Sequence, residues 1–346
     1  MLRWLLVITI TLICGEVVVM CFIGYSAGAI SDSDLGWINR PNSMVFYTKE
    51  GWAKNKFNSM GFNDRDIPSE GYENHILVLG DSFTEALELP QKINFTSIIE
   101  SNLPCLDIIN AGRSGLSPVQ YPVVFERFSE VSLINSVVMV MTGSDAKDIL
   151  TNNAEISRDK FSGDIIGITL REKKRSQIKD KLLYVVGKSA LATYLKDRLK
   201  LALQKKKLMP TRIEEKFNKQ EVQKISETLS FVFEKINSKT PLSVVFIPRL
   251  KYMYRGVVKY EANGEQFEMI IKNVLKNKNI PFKSLKKDLT EYYIKNKQPP
   301  IGYANYNILQ GHINHSGHRI VASGIMDLIP QTCIPFDINV EKALIR

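Results

Sequence analysis

The chain has 346 residues, 44% hydrophobic and 24% charged, the balance of an ordinary globular protein. Its formal net charge of +10 is local: residues 171–220 hold 16 Lys or Arg against 5 Asp or Glu. A chain near neutral elsewhere is not a general nucleic-acid binder, so the basic stretch is read as a solvated face, or one suited to anionic lipid or acidic glycan.

The first segment stands apart. Residues 4–25 are apolar except for Gly15, Glu16, Gly24 and a few hydroxyls. A run of that length suits a bilayer-spanning helix, which needs about 20 residues. Arg3 precedes it and no Lys or Arg follows until Arg40, which predicts a cytoplasmic amino terminus and an outer bulk. Residues 1–29 are therefore expected as a single-pass signal-anchor in the inner membrane, with the main domain on the periplasmic side. Cleavage at Ala27-Gly28-Ala29, giving a secreted protein, is the alternative. Cys14 and Cys21 follow Ile13 and Met20, too large for a lipidation site. Cys105 and Cys333 are expected as separate buried thiols, with a single bridge in an oxidising compartment as the alternative.

Residues 30–70, polar with several aromatics, are expected to form a stem packed on a domain spanning 71–335. From residue 75 onward strands and helices alternate. HILVLG (75–80), LDIINAG (106–112), VVMVMTG (137–143) and LSVVFIP (242–248) read as strands, with a short fifth near 280–282. Helices are expected near 91–102, in VQYPVVFERF, in GEQFEMIIKNVLKNK and in GHRIVASGIMDLI. Nearly continuous apolar strands separated by helices predict an α/β fold: a flavodoxin-like three-layer sandwich around a parallel sheet of about five strands. Residues 149–220 interrupt the alternation and read as a basic helical insertion, and 336–346 as a tail.

In such a sheet ligands bind beyond the carboxyl ends of the strands. Gly80-Asp81-Ser82 follows the first strand, Asn110-Ala111-Gly112-Arg113-Ser114-Gly115 the second, and Thr142-Gly143-Ser144-Asp145 the third. Three of the four histidines, His312, His315 and His318, share the last loop. Ser82 reads either as a helix cap or as a nucleophile with histidine as its base. The three histidines have the spacing of a shared helix face, but Asn314 and Gly317 argue against that, so neither metal nor cofactor is expected.

The blocks GDSFT, NAGRSG and HINHSGHRIVA, in this order and with FNSMGFNDRD ahead of them, resemble the SGNH (GDSL-type) hydrolase family over residues from about 50 to 330. The resemblance implies Ser82 as nucleophile and His312 as general base. The Ser82 and Gly112 N–H groups would form an oxyanion hole, with Ser144 in the position of the family's Asn, and Asp81 would hold the turn. Two blocks depart from the family. Ser144 replaces an amide donor, and Leu309 and Gln310 stand where an Asp should orient His312. Gln310 and Asp145, with Asp148, are the candidates for that role. The resemblance implies an esterase acting on an acylated surface glycan or lipid through an acyl-Ser82 intermediate. An O-acyltransferase and a non-catalytic glycan- or partner-binding protein are the alternatives.

Overall fold

The computed structural model describes residues 2–20, 29–67, 74–151, 154–158, 165–170 and 216–329, with parts of 189–199. Five parallel strands form the central sheet: β5 (Asn74–Gly80), β6 (Leu106–Gly112), β7 (Ser136–Thr142), β10 (Leu242–Ile247) and β13 (Phe282–Ser284). Their spatial order is β13-β10-β7-β5-β6, the flavodoxin-like arrangement expected from the alternation. The order reverses between β5 and β7, so the crevice at their carboxyl ends lies between Ser82 and Ser144.

Alternation along each strand builds two apolar layers. Leu77, Leu79, Ile109, Val137, Met139, Val244 and Phe246 face one side, against α4 (Tyr121–Ser129), α6 (Lys219–Asn237) and α7 (Ala262–Leu275). Ile76, Val78, Ile108, Val138, Val140 and Val245 face the other, against α3 (Phe95–Asn102), α8 (Lys286–Asn296) and α9 (His315–Met326). Because both faces are covered, the strands read as unbroken apolar runs, which is why the sequence locates them so closely.

The segment before β5 lies along the β6 edge. Asp64 accepts the Asn110 N–H at 2.7 Å, and Arg65 pairs with Asp107 and with Glu100 (2.7 Å). An otherwise open sheet edge is thereby closed. Arg127 grips Asp32 with both guanidinium nitrogens, at 2.9 and 3.0 Å. Two antiparallel hairpins belong to this segment, β1 (Ile30–Asp32) with β2 (Gly36–Ile38) and β3 (Met44–Tyr47) with β4 (Ala53–Lys56), and another, β11 (Leu250–Tyr254) with β12 (Val257–Tyr260), follows β10.

Three expectations are altered. The first helix, α1 (Leu2–Val18), has 17 residues, and among the described residues no helix is long and apolar enough to cross a membrane. The rest of the expected span, 21–28, lies outside the described residues. Within the insertion, β8 (Ala154–Arg158) and β9 (Ile165–Leu170) form an antiparallel hairpin where helix was expected, and most of the remainder also lies outside. Cys105 is disulfide-bonded rather than a separate thiol.

Candidate active site

Ser82 opens a short helix, α2 (Ser82–Glu85), one residue beyond β5. Asp81 caps it, accepting the Phe83 N–H at 2.9 Å, and left-handed Ala86 (φ 54) ends it. Two glycines let α2 lie directly on the strand ends. A Cβ at Gly80 would stand 2.0 Å from Thr84 Oγ1, and one at Gly112 2.4 Å from the Glu85 amide nitrogen. These residues are partners in the sheet register, so a single row clears space for the turn carrying the serine.

His312 reaches this turn from the last loop. Its Nε2 lies 2.8 Å from Ser82 Oγ, and its ring stands 4.9 Å from that of Phe83. The loop is fixed by Gly302 N–H donating to the His312 carbonyl (2.8 Å) and Tyr303 Oη–H donating to the Ile313 carbonyl (2.8 Å). Asn314 caps α9, accepting from the Ser316 and Gly317 amides at 3.0 and 3.3 Å.

The carboxylate beside His312 is Glu50, in the β3–β4 hairpin loop. Glu50 Oε2 lies 2.9 Å from Nδ1 and accepts the His312 backbone N–H at 2.8 Å. The hairpin loop is tied to the histidine loop by Asn305, which accepts from Gly51 N–H (2.9 Å) and donates to the Gly51 and Thr48 carbonyls (2.8 and 3.2 Å). Left-handed Gly311 (φ +94) makes room for the acid, since a Cβ there would sit 2.3 Å from Glu50 Oε2. With the carboxylate on Nδ1, the neutral imidazole keeps its proton there and presents a bare Nε2 to the serine hydroxyl.

Burial lowers the His312 pKa, but the charge of Glu88, the hydrogen bond and charge of Glu50, and the charge of Asp81 outweigh it and carry it up to about 9. For Glu50 burial acts upward, yet the His312 hydrogen bond and charge hold its carboxyl below the usual range. Each member of the pair thus favours the charged form of the other.

Of the three residues expected to orient His312, Asp145 and Gln310 lie elsewhere. Asp145 is fully buried and accepts the Thr142 N–H at 2.6 Å, fixing the turn after β7. Gln310 is exposed, because the loop turns at Gly311 and brings the histidine back toward Glu50. Glu50 lies 262 positions from His312, in a segment that reads in sequence only as a stem.

The oxyanion donors are also revised. The Ser82 N–H has no partner among the described residues, as a donor to substrate requires. Gly112 N–H, however, donates to Asn110 Oδ1 at 3.0 Å, so that amide is occupied. Further along the same loop, exposed Gly115 (φ +76) has an amide without a partner among the described residues. Ser144 Oγ lies 2.8 Å from Thr142 Oγ1, which in turn donates to Asp81 Oδ2 at 3.1 Å. Of the other histidines, His315 is exposed and His318 accepts the Phe95 N–H within the core. Among the described residues no group of His, Cys, Asp and Glu could hold a metal ion.

No family model and no curated protein matches the chain. Its structural neighbours are GDSL-type lipolytic proteins and esterases. They include a member of the lipolytic protein G-D-S-L family from Veillonella parvula, at 13% identity and TM-score 0.42, over 74% of this chain and 97% of that one. The lipase/acylhydrolase from Enterococcus faecalis aligns at 14% identity and TM-score 0.40, over 73% and 94%. Axe2, an acetylxylan esterase from Geobacillus stearothermophilus, aligns at 12% identity and TM-score 0.40, over 75% and 97%.

Proposed function

We propose that the chain is a serine ester hydrolase of the SGNH type, with Ser82 as nucleophile, His312 as general base and Glu50 as the acid that orients it. The observation carrying this reading is the continuous line from Ser82 Oγ through His312 (2.8 Å) to Glu50 (2.9 Å). In the reaction His312 Nε2 takes the Ser82 proton as Oγ attacks the ester carbonyl. The resulting oxyanion meets the free Ser82 amide, which strengthens its hold as charge develops. His312 then gives the proton to the leaving alcohol, leaving an acyl-Ser82 ester. A water, deprotonated by the same Nε2, adds to that ester, and the proton passes from His312 to Ser82 Oγ as the acid is released. Glu50 stays ionised throughout and stabilises the imidazolium.

The missing family acid was the main ground for a binding-only protein, and Glu50 removes it. For the ester itself we propose an acylated surface glycan or lipid. Trp52, two residues from Glu50, is 62% exposed and stands 6.1 Å from the Phe46 ring, an aromatic surface on which a sugar ring or acyl chain can lie. We also propose membrane association through α1, whose Leu2, Trp4, Leu5 and Leu6 are all exposed. Turnover of p-nitrophenyl acetate by the full chain, abolished in Ser82→Ala, tests the catalytic reading; equal turnover by both proteins would refute it.

A further inference from the structure

We propose that Asp81 sets the direction of a short hydroxyl chain, Asp81–Thr142–Ser144, and thereby decides whether Ser144 offers the bound ester a proton or a lone pair. The inference rests on the catalytic reading above. Thr142 is fully buried, with Oγ1 3.1 Å from Asp81 Oδ2 and 2.8 Å from Ser144 Oγ. A hydroxyl has one proton to give. When Asp81 is ionised, Thr142 spends its proton on the carboxylate, so Ser144 must donate to Thr142 and turns its lone pairs outward. When the Oδ2 position carries a proton of its own, Thr142 accepts there and donates to Ser144, whose proton is then free to meet an oxyanion. Releasing it without reversing the chain would leave two oxygens 2.8 Å apart with no proton between them.

Two donors hold Asp81 in the acceptor role, the Phe83 N–H at 2.9 Å and the Thr142 hydroxyl at 3.1 Å. Burial raises both Asp81 and Asp145, and the Asp81 charge raises Asp145 further. Asp81 is drawn back by the Phe83 N–H, by His312, by Thr142 and by Arg249, while Asp145 has an Oδ1 with no hydrogen-bond partner. Asp81, accepting from both the Phe83 N–H and the Thr142 hydroxyl, is therefore the acceptor at the head of the chain. Ser144 then faces the site as an acceptor, not as a replacement for the amide donor that the resemblance leads one to expect. Asp81 is a positioning residue here, acting through Thr142 and touching no substrate.

Asp81→Asn reverses the chain. Its oxygen stays on the Phe83 N–H, and Nδ2 takes the Oδ2 place and donates to Thr142. The test is the kcat of the full chain on p-nitrophenyl acetate for the parent, Asp81→Asn, Ser144→Ala and the double variant, with a thermal melt of each. Ser144→Ala is expected to cost at least tenfold more in the Asp81→Asn background than in the parent. Thr142→Ser, which keeps the hydroxyl, should preserve that difference, and Thr142→Val should remove it. Equal costs in both backgrounds, or a larger cost in the parent, would overturn the inference while leaving the hydrolase standing. A folded parent without turnover would overturn the hydrolase reading and the inference with it.

Discussion

Glu50 Oε2 accepts two hydrogen bonds from one residue, the backbone N–H of His312 at 2.8 Å and its ring Nδ1–H at 2.9 Å. The double contact fixes the position of the loop as well as the imidazole tautomer. It also makes a loop in the amino-terminal segment part of the site, so the serine and histidine do not complete it alone.

Glu50→Gln should lower kcat by about 10³–10⁴, because an amide can donate to Nδ1 and leave the proton on the wrong ring nitrogen. Steady-state turnover of p-nitrophenyl acetate, with a thermal melt to check folding, measures it. A loss below tenfold would mean that the pair is structural.

The raised pKa of His312 makes activity and stability run in opposite directions with pH. The base must be neutral, so kcat/KM should climb about tenfold per pH unit and level off near 9, the value to which its neighbours raise it. The stability contributed by the charged imidazole is full below about pH 6.5, its unfolded value, and is lost as pH rises through about 9. Glu88 is the largest of the charges that raise it, so Glu88→Gln should move the midpoint of the rate profile downward. An unmoved midpoint would remove Glu88 from the account.

Gly311→Ala tests the packing of the acid without altering any charged group. A methyl 2.3 Å from Glu50 Oε2, on a residue with φ +94, must displace either the carboxylate or the loop. We expect a loss of kcat of about 10²-fold or more, since the displaced acid no longer holds the tautomer. Near-parental kcat would mean that the loop and Glu50 have slack that the packing does not suggest.

The core shows why some elements were legible and others not. β5, β6, β7 and β10 lie almost wholly buried and so read as mainly apolar runs, the first three ending at Gly80, Gly112 and Thr142 and the last just before Pro248. Of α8, by contrast, only Leu289 is buried, and its lysines and half-buried tyrosines give little apolar periodicity. α6 does carry a clear stripe in Ile225, Leu229, Val232, Phe233 and Ile236, but it begins where the lysine-rich insertion ends, which masked it.

Ser82 and His312 were readable because each sits in a local block beside a strand end or in the last loop. Glu50 was not. Its role follows only from the hairpin fold-back that brings Gly51 to Asn305 and Gly311 to the carboxylate, a tertiary relationship no spacing expresses. Gly112 misled for the converse reason. It stands at the expected place, but Asn110 of the same strand takes its amide.

The most direct measurement is fluorophosphonate labelling of the full chain at pH 9, followed by peptide mapping, with Ser82→Ala and Glu50→Gln alongside. One adduct is expected, on Ser82, absent from Ser82→Ala and formed at least a hundredfold more slowly in Glu50→Gln. A folded parent that takes no label, or a label on any other residue, would contradict it.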